Sequence, residues 1–290
     1  MRRFLKFALT LLLTIVLVLC ALDWGMTRIH QHAKHRGIFP RLRHAKDIHY
    51  DYLVIGSSRV ACHIDPSQIK EATGKSGVNL ARLGCGSDEA LLLTKLFLAN
   101  GNHADRIFYQ VDYSWEETEP MTKPLASAMP FLREELFRDH YREWKDFPKL
   151  YYVPFLRYAQ FAPEIGFRET VMALVQDSKS FDDARGFSPV NANFRGSEVF
   201  KVELKSPTNP KLEAAIALCK EHNCEPHFFT SPFFATEGTD FEAFFSSKLP
   251  NYKDFSNALT DKHWFRDVTH LNVSGAEEFT RIFIDEYFKD

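Results

Sequence analysis

The hydrophobic positions fall into three regimes along the chain. An uncharged run over residues 7–22 follows Arg2, Arg3 and Lys6 and stops at Asp23. It reaches the length of a spanning helix once Phe4 and Leu5 extend it and Lys6 leans back toward the headgroups. Residues 23–49 are polar and rich in histidine (His30, His32, His35, His44, His49), the pattern of a solvated linker or of a helix continuing out of the membrane. From Tyr50 onward, short apolar runs alternate with amphipathic stretches. Tyr52-Leu53-Val54-Ile55 reads as a buried parallel strand ended by Gly56, and Pro66 opens a short helix over 67–73. Residues 78–81 read as a second strand, 87–99 as an amphipathic helix capped by Ser87 or Asp88, and 106–111 as a third strand. That β-α-β-α-β order with short connections predicts an α/β domain on a parallel sheet.

Regularity lapses over residues 116–205. Scattered aromatics, prolines and helical stretches near 130–145, 150–160 and 166–180 read as a mainly helical insertion, with residues 186–190 as loop. The α/β pattern then resumes with a helix over 209–222, a strand over 226–230 broken at Ser231-Pro232, and a helical stretch at 240–247. A last helix runs from Ser274, where Ser274 with Glu277 fits a capping box and Phe279, Ile282, Phe283 and Tyr287 mark an apolar face. The expected division is a transmembrane signal anchor at 1–22, a juxtamembrane linker at 23–49, and one domain at 50–290 carrying the insertion.

Composition narrows the classes. The chain is 45% hydrophobic and 26% charged, ordinary for a globular protein. A formal net charge of −2 and the lack of a nucleic-acid motif set nucleic acid aside as a partner. The 27 phenylalanines are read as an aromatic-rich core in preference to a greasy binding surface. Leu19 spoils a cleavage site after Ala21, and the residues before Cys20 are too bulky for a lipoprotein signal, so an uncleaved anchor is expected. Arg28, Lys34 and Arg36 reduce the charge asymmetry across it, yet the expected location is membrane-anchored with the main domain extracytoplasmic, periplasmic or at the cell surface. Beyond Cys20, Cys62, Cys85, Cys219 and Cys224 allow disulfides (Cys219 with Cys224, Cys62 with Cys85) or buried thiols, and their spacing does not suit zinc. Neither a metal nor a cofactor is called for at the site; metal capture by the juxtamembrane histidines ranks below their solvated reading.

Two segments carry chemistry. Gly56-Ser57-Ser58 sits where a parallel strand ends, the position at which open α/β sheets bind ligands. Glycine followed by small residues gives a turn tight enough to expose a nucleophilic hydroxyl beside backbone N–H groups. Asp267-Val268-Thr269-His270 precedes the last helix, and an aspartate three residues before a histidine can fold back onto its Nδ1–H and leave Nε2 as general base. Either motif alone is weak. Arg59 and Arg82 are candidates for holding an anionic group or for structural ion pairs, His63 for a structural imidazole, and Trp115 for stacking on a sugar or for core packing.

Gly56-Ser57-Ser58-Arg59, Asn79-Leu80-Ala81-Arg82-Leu83-Gly84 and Asp267-Val268-Thr269-His270 resemble blocks I, II and V of the SGNH (GDSL-like) hydrolase superfamily, in order and spacing. The resemblance covers roughly residues 50–115 and 208–290 and is silent on the insertion. It implies a flavodoxin-like three-layer α/β/α domain with Ser58 as nucleophile, His270 as base, Asp267 as its orienter, and the N–H groups of Ser58 and Gly84 as oxyanion donors. Ser57 stands where the common motif has Asp, a position outside the nucleophile. Block III departs further: Gln110-Val111-Asp112-Tyr113-Ser114 replaces Gly-x-Asn-Asp, leaving Ser114 as the stand-in oxyanion donor and Asp112 either facing the site or capping the next helix. The Ser-Ser turn, the anchor and the phenylalanine content resemble the exported branch that accompanies acylation of alginate, cellulose and teichoic acids. The implied function is a serine-dependent esterase or O-acyltransferase acting on acyl, chiefly acetyl, groups of a cell-surface glycan, with polysaccharide-assembly proteins as partners. The alternative is a non-catalytic glycan-binding or scaffold relative.

Overall fold

The computed structural model describes residues 1–33, 37–175, 186–196 and 199–289. Lys34, His35 and Arg36, and residues 176–180 at the end of the expected 166–180 helix, lie outside the described residues. The chain divides into a unit built on a sheet, residues 45–124 with 179–290, and a helical unit, residues 1–44 with 125–178.

In chain order the strands of the first unit are β1 (His49–Ile55), β2 (Gly77–Asn79), β3 (His103–Gln110), β4 (Phe200–Val202), β5 (Glu225–Thr230), β6 (Thr236–Gly238) and β7 (Tyr252–Asp254). Five form one parallel sheet in the order β2-β1-β3-β5-β7, and β4 pairs in parallel with β6. Leu53, Val54 and Ile55 are all fully buried, so both faces of β1 are covered and its sequence is continuously apolar rather than alternating. On one face Tyr52, Phe108 and Phe229 pack with Phe279, Phe283 and Tyr287 of the Val273–Tyr287 helix. On the other, the Tyr109 hydroxyl meets Thr94 of the Ser87–Ala99 helix at 2.8 Å and Cys219 of the Pro210–Glu221 helix at 3.4 Å. Much of the phenylalanine content is therefore core, each buried ring contributing about 1.5–3 kcal/mol. Between β1 and β3 the strand order reverses, which opens a crevice at the carboxyl ends of these two strands.

Several local expectations are corrected. The last helix is capped by Asn272, whose Oδ1 accepts the Gly275 N–H at 3.0 Å, so Ser274 lies inside the helix and no capping box forms. Gly86 caps the helix expected at 87–99, because Ser87 Oγ instead donates to the Glu117 carbonyl. β3 begins at His103, earlier than its apolar stretch, and the three-residue strands β4, β6 and β7 are too short to show a period. All five cysteines are free thiols, so neither candidate disulfide forms.

In the helical unit, one helix spans Arg2–His32 and contains a window of mean hydropathy 2.6, long and apolar enough to cross a membrane. Residues 23–32 continue it, the second of the two readings given for that stretch. Asp23 is buried there, bonded by Arg157 Nη2 at 2.7 Å, Arg133 Nη1 at 2.8 Å and the Phe155 N–H at 2.9 Å. The Ile38–His44 helix buries Ile38, Phe39 and Leu42, so this part of the expected linker is not solvated. The helical stretch expected at 150–160 is broken into Phe147–Tyr152 and Leu156–Gln160, with Pro154 between them.

Candidate active site

β1 delivers its chain into a turn that only glycine can make. A Cβ on Gly56 would lie 2.7 Å from both Gln110 Cβ and Val60 Cγ2. Ser57 then caps the Ser58–His63 helix through the Arg59 N–H, while its own N–H and Oγ–H donate to Gln110 Oε1 at 2.9 and 2.8 Å. Ser58, the first helical residue, is left half-buried with its hydroxyl outward. The Arg82 N–H donates to the Gly56 carbonyl at 2.9 Å, tying the Asn79–Gly84 segment to the Gly56–Arg59 turn. Asn79 braces the same corner, donating through Nδ2 to the carbonyls of Val60 and Ile64 and accepting the Ala81 N–H. Gly84 has φ +74°, a left-handed conformation that favours glycine. Among the described residues nothing accepts from the N–H groups of Ser58 or Gly84.

Asp267 and His270 are brought together by one compact turn. Phe265 and Leu271 form an antiparallel bridge, and the Arg266 N–H donates to the His270 carbonyl at 2.9 Å. Within that turn Asp267 Oδ1 accepts the N–H groups of Thr269 and His270, each at 2.9 Å, and the Thr269 hydroxyl at 3.0 Å. His270 Nδ1 lies 3.0 and 3.2 Å from the two carboxylate oxygens, and Nε2 lies 2.9 Å from Ser58 Oγ. Burial by itself would raise the Asp267 carboxyl, but the His270 ring and these backbone N–H groups outweigh it and hold the group well below the usual carboxylate range. An ionised carboxylate only accepts, so Nδ1 carries the imidazole hydrogen and Nε2 is left to accept from Ser58. Ser58, His270 and Asp267 are thus brought together, 212 residues apart at their widest hydrogen bond.

The remaining sequence candidates sort differently. Arg59 is fully buried: Nη1 pairs with Asp112 Oδ2 at 2.5 Å, Nε donates to the Thr269 carbonyl, Nη2 donates to the carbonyls of Ser231 and Pro232, and the guanidinium stacks 3.5 Å over Phe233. With every donor group engaged inside the protein, it is not open to a substrate, which corrects its substrate-binding assignment. Trp115 is corrected likewise, being 3% exposed, bonded to the Ser206 carbonyl and packed on Phe245. Asp112 does not face the site as a free charge; it pairs with Arg59 and caps the following turn through the Ser114 N–H at 2.9 Å. That bond consumes the Ser114 N–H, while Ser114 lines a small cavity with Gly56, Cys85, Gly86 and Gln110. Arg82 pairs with buried Glu89 at 2.8 Å. His63 is fully buried, with Nε2 accepting the Leu271 N–H at 3.0 Å and its ring 6.3 Å from that of His270. Desolvation, then the charges of Arg59 and His270, hold its pKa well below 6.5, so it is neutral and structural.

A third segment contributes to this corner without any signal in its residue pattern. Residues 186–196, with 186–190 expected as plain loop, run past the site: the Ser188 N–H donates to Ala61 O and the Arg195 N–H to Arg266 O, each at 2.7 Å. Such a segment carries no periodicity; two backbone bonds and the Phe194 ring, 4.8 Å from that of Phe234, hold it in place. No protein-family model matches this chain, and no curated protein matches it.

Proposed function

We propose that this chain is a serine-dependent esterase or O-acyltransferase of SGNH type. The observation that carries the reading is the Ser58 Oγ to His270 Nε2 bond of 2.9 Å, with Asp267 on the far nitrogen. In the forward step His270 Nε2 takes the Ser58 proton as Oγ attacks an ester carbonyl. The oxyanion meets the N–H groups of Ser58 and Gly84, and His270 returns the proton to the departing alcohol. Water, or a sugar hydroxyl, then releases the acyl group from Ser58 by the same route in reverse. Hydrolase and transferase share every residue named.

Wider features support the same reading. Counted within the main sheet, the strand order is 2-1-3-4-5, the order of flavodoxin-like domains, and helices contact both faces, as a three-layer arrangement requires. The Arg2–His32 helix suits an anchor whose basic start stays cytoplasmic, which puts the catalytic domain outside, against an acylated cell-surface glycan. A catalytically silent glycan-binding relative is the second reading. It is favoured by Gln110-Val111-Asp112 where the family carries an oxyanion asparagine, since Asp112 is committed to Arg59.

The test is turnover of an activated acetyl ester by the full-length chain in detergent, with and without an acceptor oligosaccharide. Acetate or acetyl-sugar that disappears in Ser58→Ala is expected, together with labelling of Ser58 by a serine-reactive phosphonate. If wild type gives neither product nor label, the scaffold reading replaces the enzymatic one.

A further inference from the structure

We infer that His49, His103 and Asp105 form a binding site for one divalent transition-metal ion of the zinc class, at the amino-terminal edge of the sheet. His49 opens β1, His103 opens β3, and the two are register partners across the parallel ladder. Asp105 lies two residues further along β3, so its side chain leaves the same face of the sheet as that of His103. The two imidazole rings are 5.1 Å apart. Asp105 Oδ1 is 2.7 Å from His49 Nε2 and 3.6 Å from His103 Nε2, and all three donor atoms lie within 4.8 Å of one another.

Those spacings are close to what an ion requires. Bonds of about 2.0–2.1 Å in a tetrahedral shell place ligand atoms roughly 3.3–3.5 Å apart. The two histidine–aspartate distances, 2.7 and 3.6 Å, bracket that spacing. Two imidazoles with one carboxylate suit zinc, copper or nickel rather than magnesium or calcium, whose shells are built from oxygen. A fourth position stays open to water.

Two surroundings favour binding over a plain surface ion pair. Cys224 Sγ, buried just before β5, sits 3.7 Å from His103 Nδ1, which helps to orient that ring with Nε2 toward Asp105. A simple His–Asp pair also needs only one imidazole, whereas here the carboxylate faces two. The three side chains are 63%, 38% and 51% exposed, so an ion reaches them without any opening of the fold. The site stands apart from Ser58. β1 runs six residue steps from His49 to Ile55, about 20 Å at roughly 3.3 Å each. A bound ion there would pin β1 to β3, the two strands that flank the crevice, and would act on stability rather than on the acyl chemistry.

The test uses the full-length chain in detergent, stripped by a chelator and titrated with Zn²⁺ in competition with a chromogenic chelator. Saturable binding of one equivalent is expected, with a higher melting temperature in zinc. The double variant His49→Ala/His103→Ala should bind at least about 100-fold more weakly, and Asp105→Asn about tenfold more weakly. Because these side chains are exposed, melting temperatures without metal should match wild type, while His270→Ala should bind zinc normally. Binding that never saturates at one equivalent, or that survives in the double variant, overturns the assignment; survival would place the ion on other histidines, such as His30 and His32.

Discussion

Ser58 and Arg59 are consecutive residues that belong to opposite kinds of polar cluster. Ser58, His270 and Asp267 sit partly exposed, and Ser58 keeps an N–H that no group among the described residues accepts. Arg59, the next residue, and its partner Asp112 are buried, and the guanidinium is bonded through all three of its nitrogens. The two clusters touch at one point, where Arg59 Nε donates to the carbonyl of Thr269, inside the turn that carries Asp267 and His270. The buried charge is therefore scaffolding for the exposed pair. Burial in this corner separates the polar groups open to a ligand from the supporting ones more sharply than residue type does.

That contrast predicts that the two clusters fail in different ways. The largest effect belongs to the exposed one. Ser58→Ala or His270→Ala should lower kcat for an activated acetyl ester by about 10⁴-fold or more, with the melting temperature unchanged. The buried cluster should fail through stability: Arg59→Met strands the Asp112 carboxylate and costs about 3–5 kcal/mol in denaturant unfolding. The double change Arg59→Met/Asp112→Leu should recover part of that loss. An Arg59→Met protein of full stability with only a raised KM would return Arg59 to substrate binding.

Acid separates the clusters further. His63 has a folded-state pKa well below its ordinary 6.5, so the unfolded chain binds the extra proton first. Stability from this group is complete above about pH 6.5 and falls as pH drops below it, by at most about 1.4 kcal/mol per pH unit for one proton. Replacing His63 with glutamine, which can still accept the Leu271 N–H, should flatten that slope. Asp267 is also depressed, from 3.8, so its share of stability is retained until the pH falls below that value, a separate and lower window. The smallest effect is expected at Ser114, whose N–H already serves Asp112. Ser114→Ala should cost less than about tenfold in kcat, against the 10²–10³ typical of an oxyanion donor.

The parts legible from sequence were those with local causes. β1 and β5 are short apolar runs between breakers, and the helix at Ser87–Ala99 follows its own periodicity. Asp267 reaches His270 within a single turn, so that contact could be read from spacing. The fate of Arg59 could not, because its partners Asp112, Ser231 and Phe233 are set by three other segments. Trp115 was ambiguous for the same reason, its burial depending on Phe244 and Phe245 far along the chain. His49 looked like one more juxtamembrane histidine until β1 and β3 paired and brought His103 beside it.

The buried Asp23 carries a mechanical consequence. It follows the apolar run directly, and its bonds to Arg133, Arg157 and the Phe155 N–H hold the helix to its own unit at that point. The helix goes on to His32, nine further residues or about 14 Å, without a break. With the apolar run in a bilayer, the helical unit is a rigid post and not a body on a string. The carboxylate clamp couples the unit to the direction of the helix, so lengthening the apolar run, which a bilayer accommodates by tilting the helix, should tilt that unit with it.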